Sequence, residues 1–111
     1  MKVRGTLKKN SDFRRLYAKG KSAVNPYLVL YIRPNRLGEN RLGYTVSAKL
    51  GHAVVRNRVR RRLREIVRLN QSGVRQGYDM VLVARSRAVN APYRKLESAY
   101  LRACTELGLT L

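Results

Sequence analysis

One histidine, one cysteine and six scattered carboxylates are the side chains of this chain that most often carry acid-base, nucleophilic or metal chemistry. Such chemistry needs two of these groups within reach of one another, or three or four of them around a metal ion. His52 stands between Gly51 and Ala53, where it could meet a phosphate or simply occupy a loop. Cys104 has no second cysteine to pair with, and no Cys and His spacing matches a metal site. Asp12, Glu39, Glu65, Asp79, Glu97 and Glu106 fall on different predicted elements without paired spacing. The sequence therefore predicts neither a catalytic residue nor a metal ligand in the protein itself.

Arginine is what the chain has in excess. Between Val54 and Asn70 lie Arg56, Arg58, Arg60, Arg61, Arg62, Arg64 and Arg68, against one acid, Glu65. Val55, Val59, Leu63 and Ile66 recur at spacings of four, four and three, so an α-helix collects them into an apolar stripe with Val67 and Asn70 alongside. Advancing about 100° per residue puts Asn57, Arg61, Arg64 and Arg68 on the far side, flanked by Arg58 and Arg60. Arginines three and four apart repel one another and weaken a helix, and a solvated face of mixed sign would need acids that this helix lacks. A polyphosphate supplies the missing countercharge, and guanidinium groups grip phosphate oxygens in a bidentate fashion. Nucleic-acid binding is the expectation.

The rest of the composition agrees. With 25 Lys and Arg against 6 Asp and Glu, the formal charge is +19, which repels itself in the free protein and attracts polyanions at long range. A hydrophobic fraction of 44% in 111 residues supports one domain, 1–111, with one modest core. The unpaired Cys104 fits a reducing compartment. No apolar run has signal-peptide or membrane-spanning length, so a soluble, cytoplasmic protein is expected. The apolar stripe of the arginine helix carries no Trp or Phe anchor, which argues against docking on anionic lipid.

The elements that must position the arginine helix can be read in order. Residues 1–9 are basic and aperiodic and suggest a mobile arm. Asn10 or Ser11 is expected to cap a short helix that carries Phe13 and Tyr17 on one face and stops at Gly20. Tyr27–Ile32 alternates as a strand with Leu28, Leu30 and Ile32 on one side and Tyr27, Val29 and Tyr31 on the other. After turn residues from Pro34 to Asn40, Arg41–Ser47 reads as a second strand, and the short connection suggests an antiparallel hairpin. Met80–Ala84 is apolar without alternation and reads as a central strand buried on both faces. Pro92 opens a last helix with Tyr93, Leu96, Tyr100, Ala103 and Leu107 on its buried stripe, ended by Gly108. The order is α-β-β-α-β-α, an α+β domain.

The run Gly43-Tyr44-Thr45-Val46-Ser47, then Lys49-Leu50-Gly51, Ala53-Val54 and Arg56-Asn57-Arg58 with Arg61 and Arg64 beyond, resembles the signature of the bacterial ribonuclease P protein subunit. The likeness extends to Leu7-Lys8-Lys9, Asp12-Phe13, Val29-Leu30-Tyr31 and the stretch from Asp79 to Arg85. It implies a mixed sheet of four strands or fewer packed against helices, with an uncommon left-handed βαβ crossover. It implies two partners, a catalytic RNA and the precursor tRNA whose 5′ leader is removed, with no obligate protein partner. Magnesium would be bound mainly by the RNA and the protein would be inactive alone. Lys49, Arg56, Asn57, Arg58, Arg61 and Arg64, with Arg68 continuing the helix face, would lie against the RNA subunit. A cleft of Phe13, Tyr17, Val29, Tyr31, Thr45 and Ser47 would hold the single-stranded leader. Ala48 departs from the pattern, since many members carry a second lysine there.

Two other classes share parts of this profile. A ribosomal or ribosome-assembly protein would have the same composition but no use for an aromatic cleft that serves a single strand. A DNA-binding helix-turn-helix would need a preceding helix joined to the arginine helix by a short turn, which is missing.

Overall fold

The computed structural model describes residues Thr6, Leu7 and 9–111. Its elements are α1 (Asn10–Lys19), β1 (Lys21–Val24), β2 (Leu28–Pro34), β3 (Arg41–Thr45), α2 (Ala53–Leu69), β4 (Tyr78–Ala84) and α3 (Tyr93–Glu106). Short 3-10 turns cover Ala48–Leu50, Gln71–Gly73 and Ser86–Ala88.

The unalternating run in β4 decides the architecture. Met80, Val81 and Leu82 are all fully buried, which requires cover on both faces and a neighbour on both edges. The sheet order β1-β2-β4-β3 provides this: β4 lies antiparallel to β2 and parallel to β3, and β1 closes the other edge antiparallel to β2. The hairpin expected between β2 and β3 is therefore absent. The two strands are consecutive in sequence, but β4 separates them, because its two apolar faces bury more surface at the centre than at an edge. The parallel pair β3 and β4 is joined through α2.

The edge strand β1 is an addition to the expected order. Only Ala23 of its four residues is buried, so it carries no readable alternation of apolar side chains. Gly20 precedes it for a steric reason. A Cβ there would lie 2.6 Å from the carbonyl oxygen of Leu16 and 2.8 Å from that of Ile32, so the chain turns from α1 into β1 at near-contact distance. The helix start also differs from expectation. Lys9 occupies the N-cap without a side-chain hydrogen bond, and Asn10 is already helical, with Asp12 in the first turn to offset the helix dipole.

One face of the sheet builds the main core. Leu28, Leu30, Ile32, Leu42, Met80 and Leu82 meet Val59, Leu63, Ile66 and Val67 of α2 and Leu96, Ala99, Tyr100, Ala103 and Cys104 of α3. The opposite face carries a small second cluster, Leu7, Leu16 and Val81, with Phe13, Tyr31 and Val83 half-buried against it. Of the arm expected over 1–9, residues 1–5 and Lys8 lie outside the described residues. Thr6 and Leu7 are docked: Thr6 bridges Leu42, the Leu7 N–H donates to the Leu42 carbonyl at 2.9 Å, and the Leu7 side chain is buried. An apolar side chain within reach of an open sheet edge gains more by burial there than by remaining in water.

Candidate nucleic-acid interface

The α1 face of the sheet is laid out in three rows, fixed by strand register and by the alternation of side chains. Arg33, Asp79 and Arg41 form the first row, Tyr31, Val81 and Gly43 the second, and Val29, Val83 and Thr45 the third. Helix α1 crosses the middle row. Leu16 points down onto it, Phe13 lies over Gly43 in the same row, and Tyr17 reaches Thr45 in the third.

Gly43 is what lets the Phe13 ring approach the strand so closely. A Cβ at that position would sit 2.7 Å from Cζ and 2.8 Å from Cε1 of the Phe13 ring, well inside contact distance. Tyr17 stands edge-on to Tyr31 with ring centroids 4.9 Å apart, and Phe13 lies 6.5 Å from Tyr17. The Tyr17 and Thr45 hydroxyls hydrogen-bond at 3.0 Å, tying helix to strand. Tyr17 nevertheless remains 42% exposed, which an aromatic serving only the core would not be. Five of the six expected cleft residues, Phe13, Tyr17, Val29, Tyr31 and Thr45, thus converge on one open surface. Ser47 lies exposed just beyond the end of β3, where its hydroxyl accepts from the Lys49 N–H at 3.2 Å. Val83 completes the floor between Val29 and Thr45 and was missed in the sequence. Its place two residues after Val81, which puts both side chains on the same face of the strand, was the signal that could have found it.

On the other side of the sheet α2 presents its arginines, as the spacing predicts. Val59, Leu63, Ile66 and Val67 are buried, and Asn57, Arg58, Arg61, Arg64 and Arg68 are exposed. Most of these heads have internal partners that the sequence did not reveal. Arg58 donates to the Val89 carbonyl at 3.1 Å and Arg62 to that of Ala91 at 3.1 Å, so both hold the loop before α3. Arg56 donates to the Gly51 carbonyl at 3.2 Å, and Arg60 to the Asn57 side chain at 3.0 Å. Arg64 lies 5.6 Å above the centre of the Tyr44 ring, a cation-π contact. Burial pushes the Tyr44 phenol up to about 12, against the pull of the Arg64 charge, so the ring stays neutral. Arg68 is engaged by both oxygens of Glu65, whose carboxyl this bond lowers. Its charge is already matched inside the helix.

Repulsion along α2 is thus relieved largely by backbone carbonyls, which are neutral, so the positive potential of the face persists. Arg61 is exposed and makes no side-chain bond among the described residues. Lys49 and Asn57 are likewise exposed, at the loop and first turn that lead into the face. Gly51 makes that loop possible with φ at 146°, a conformation that L side chains rarely adopt. His52, at the N-cap of α2, makes no side-chain capping bond.

Among the described residues no three His, Cys, Asp or Glu side chains converge as a metal cluster, and no helix is long and apolar enough to cross a membrane. Burial raises the Cys104 thiol to about 11, so it is not poised as a nucleophile. A +19 chain with an arginine helix on one side and an open aromatic cleft on the other has the surfaces of an RNA-binding subunit. Comparison with known proteins makes this particular.

The family model described as Ribonuclease P matches residues 1–108. The chain is 47% identical over 109 residues to the ribonuclease P protein component of Alkaliphilus oremlandii, covering 98% of this chain and 96% of that one. It is 48% identical over 93 residues to that of Caldanaerobacter subterraneus subsp. tengcongensis, covering 84% and 80%. Among solved structures it is similar to the RNase P protein of Staphylococcus aureus, with a TM-score of 0.88 at 31% identity over 97% of this chain and 99% of that one. The RNase P protein of Thermotoga maritima matches with a TM-score of 0.85 at 30% identity, over 93% and 97%. The chain belongs to the ribonuclease P protein family and is a subunit of that tRNA-processing endonuclease.

Proposed function

We propose that the two surfaces divide the work of ribonuclease P between them. The cleft between α1 and the sheet holds the single-stranded 5′ leader of precursor tRNA. The arginine face of α2, entered through Lys49 and Asn57 and centred on Arg61, lies against the catalytic RNA. Phosphodiester hydrolysis belongs to that RNA and to the magnesium ions it holds, while the protein positions substrate and offsets phosphate repulsion. The reading rests on one arrangement: the exposed Tyr17 ring and the half-buried rings of Phe13 and Tyr31 beside the floor of Val29, Val83 and Thr45. Single strands are bound by such platforms beside positive charge, whereas folded RNA is gripped through phosphates and shape.

The test compares substrates. Tyr17→Ala combined with Tyr31→Ala should weaken holoenzyme binding of precursor tRNA and leave binding of mature tRNA nearly unchanged, because mature tRNA lacks the leader. Each lost stack should cost about 1–3 kcal/mol. Equal losses on both substrates would mean that the aromatics only hold the fold. Sequencing the RNA that copurifies with the protein separates this reading from ribosome assembly, which would yield ribosomal RNA instead.

A further inference from the structure

The first row of the α1 face ends in a concavity of about 450 Å3 that neither proposed RNA surface uses. Arg15, Arg33, Arg36 and Arg41 line it, with Asn35 and Asp79. It lies across α1 from the leader cleft, since Arg15 and Tyr17 project about 200° apart around the helix.

Its floor is tightly fixed. Arg41 grips Asp79 through two bonds, 2.8 Å to Oδ1 and 2.7 Å to Oδ2, and Asn35 donates to the same Oδ1 at 2.9 Å. Asn35 also binds the Glu39 carbonyl and accepts from the Leu37 N–H, which locks the turn between β2 and β3. Arg33 lies opposite Asp79 in the register but Arg41 has taken both carboxylate oxygens. Arg15, Arg33 and Arg36 make no hydrogen bond or ion pair with a described residue. Counting Asp79 and the nearby Asp12 against the four arginines leaves the concavity positive.

Arg36 carries the argument furthest. It is the only described non-glycine residue with positive φ, at 60°, a conformation that glycine or asparagine adopts with less strain. The turn itself would be better served by glycine there. A bulky arginine held in that conformation, at the lip of a cationic concavity and without a hydrogen-bond or ion-pair partner among the described residues, points to a use for its head group.

We propose that this concavity is a third RNA contact, in which Arg15, Arg33 and Arg36 bind a backbone phosphate while the Arg41, Asp79 and Asn35 knot holds them in place. The inference rests on the reading that the protein's partner is RNA, but not on the leader cleft. The phosphate could come from the catalytic RNA or from the tRNA substrate, and the experiment separates them.

Three variants are compared: Arg36→Gly, which removes the guanidinium and relieves the turn; Arg33→Lys, which keeps the charge but not the bidentate fork; and Arg94→Ala, an exposed arginine of α3 as a charge-loss control. Affinities are measured across a salt series for protein with catalytic RNA, and for holoenzyme with precursor and mature tRNA. Arg36→Gly and Arg33→Lys should each weaken at least one of these complexes about tenfold. Arg36→Gly should also lower its salt slope by about 0.7–0.9, with the thermal midpoint unchanged or raised and Arg94→Ala close to the parent. Loss confined to the catalytic RNA assigns the phosphate to it, and loss confined to the tRNA complexes assigns it to substrate. The proposal is overturned if Arg33→Lys matches the parent in every complex, or if Arg36→Gly loses no more than Arg94→Ala. Effects of Tyr17 and Tyr31 substitutions on leader binding would stand or fall separately.

Discussion

Adding one methyl group at Gly43 should disable the leader cleft without replacing any side chain that faces the leader. The Cβ of Gly43→Ala would meet the Phe13 ring at 2.7 and 2.8 Å and the Leu7 Cβ at 3.3 Å, where contacts nearer 3.5–4.0 Å are normal. Backbone on both sides of Gly43 is fixed by pairing with β4, so the strand cannot retreat. The Phe13 ring is the free end of a side chain and swings away instead. Overpacking of this kind costs about 1–3 kcal/mol of stability. The displaced ring loses its stacking position, and one lost stack costs a further 1–3 kcal/mol of affinity, or about 5- to 150-fold in Kd for precursor tRNA. The assay is equilibrium binding of holoenzyme to precursor and mature tRNA, with thermal unfolding of the free protein alongside. Shortening the ring in the double variant Gly43→Ala with Phe13→Leu should recover stability but not leader affinity. If Gly43→Ala bound precursor and mature tRNA with the parent's ratio of affinities, Phe13 would have no part in reading the leader.

Other outcomes follow from the same geometry. Purified protein freed of RNA should not cleave precursor tRNA, and catalytic RNA should restore cleavage at low magnesium and moderate salt; cleavage by the RNA-free protein at the mature 5′ end would refute the division of roles. Arg61→Ala should weaken binding to the catalytic RNA and reduce its salt slope by about 0.7–0.9 with the thermal midpoint unchanged, because Arg61 bonds to none of the described residues. Arg58→Ala should lower both affinity and midpoint, since its bond to the Val89 carbonyl also holds the loop before α3; matching midpoints for the two variants would show that this bond adds nothing to stability. Burial works to raise the Asp79 carboxyl, but hydrogen bonds from Arg41 and Asn35 and the neighbouring guanidinium charges outweigh it and hold the group below its usual 3.8. A depressed carboxylate stabilises the fold above its unfolded value and loses that contribution as pH falls through the lower folded value. Asp79→Asn should therefore flatten the decline of thermal midpoint below about pH 4, and an unchanged acid profile would show that other carboxylates dominate it.

Much of this protein was determined by its sequence alone, through signals that are local. A period near 3.6 places Val59, Leu63 and Ile66 on one side of α2 and Arg61 and Arg64 on the other, whatever the rest of the chain does. A period of two put Leu28, Leu30 and Ile32 in the core and Val29 and Tyr31 on the opposite face, and the resemblance to the ribonuclease P protein subunit named the rest of the cleft. The unbroken run from Met80 to Leu82 likewise required a central strand. Tertiary structure decided which strand is whose neighbour, because pairing is a competition among distant segments and β2 joins β4 rather than the nearer β3. It also decided how the charges are used. Arg58 and Arg62 reach loop carbonyls, Arg68 is matched by Glu65, and Arg41 rather than Arg33 hydrogen-bonds Asp79, whereas in sequence all five arginines look equally free. Side-chain length allows each head group several partners, and only the packed backbone fixes which of them lies within about 3 Å.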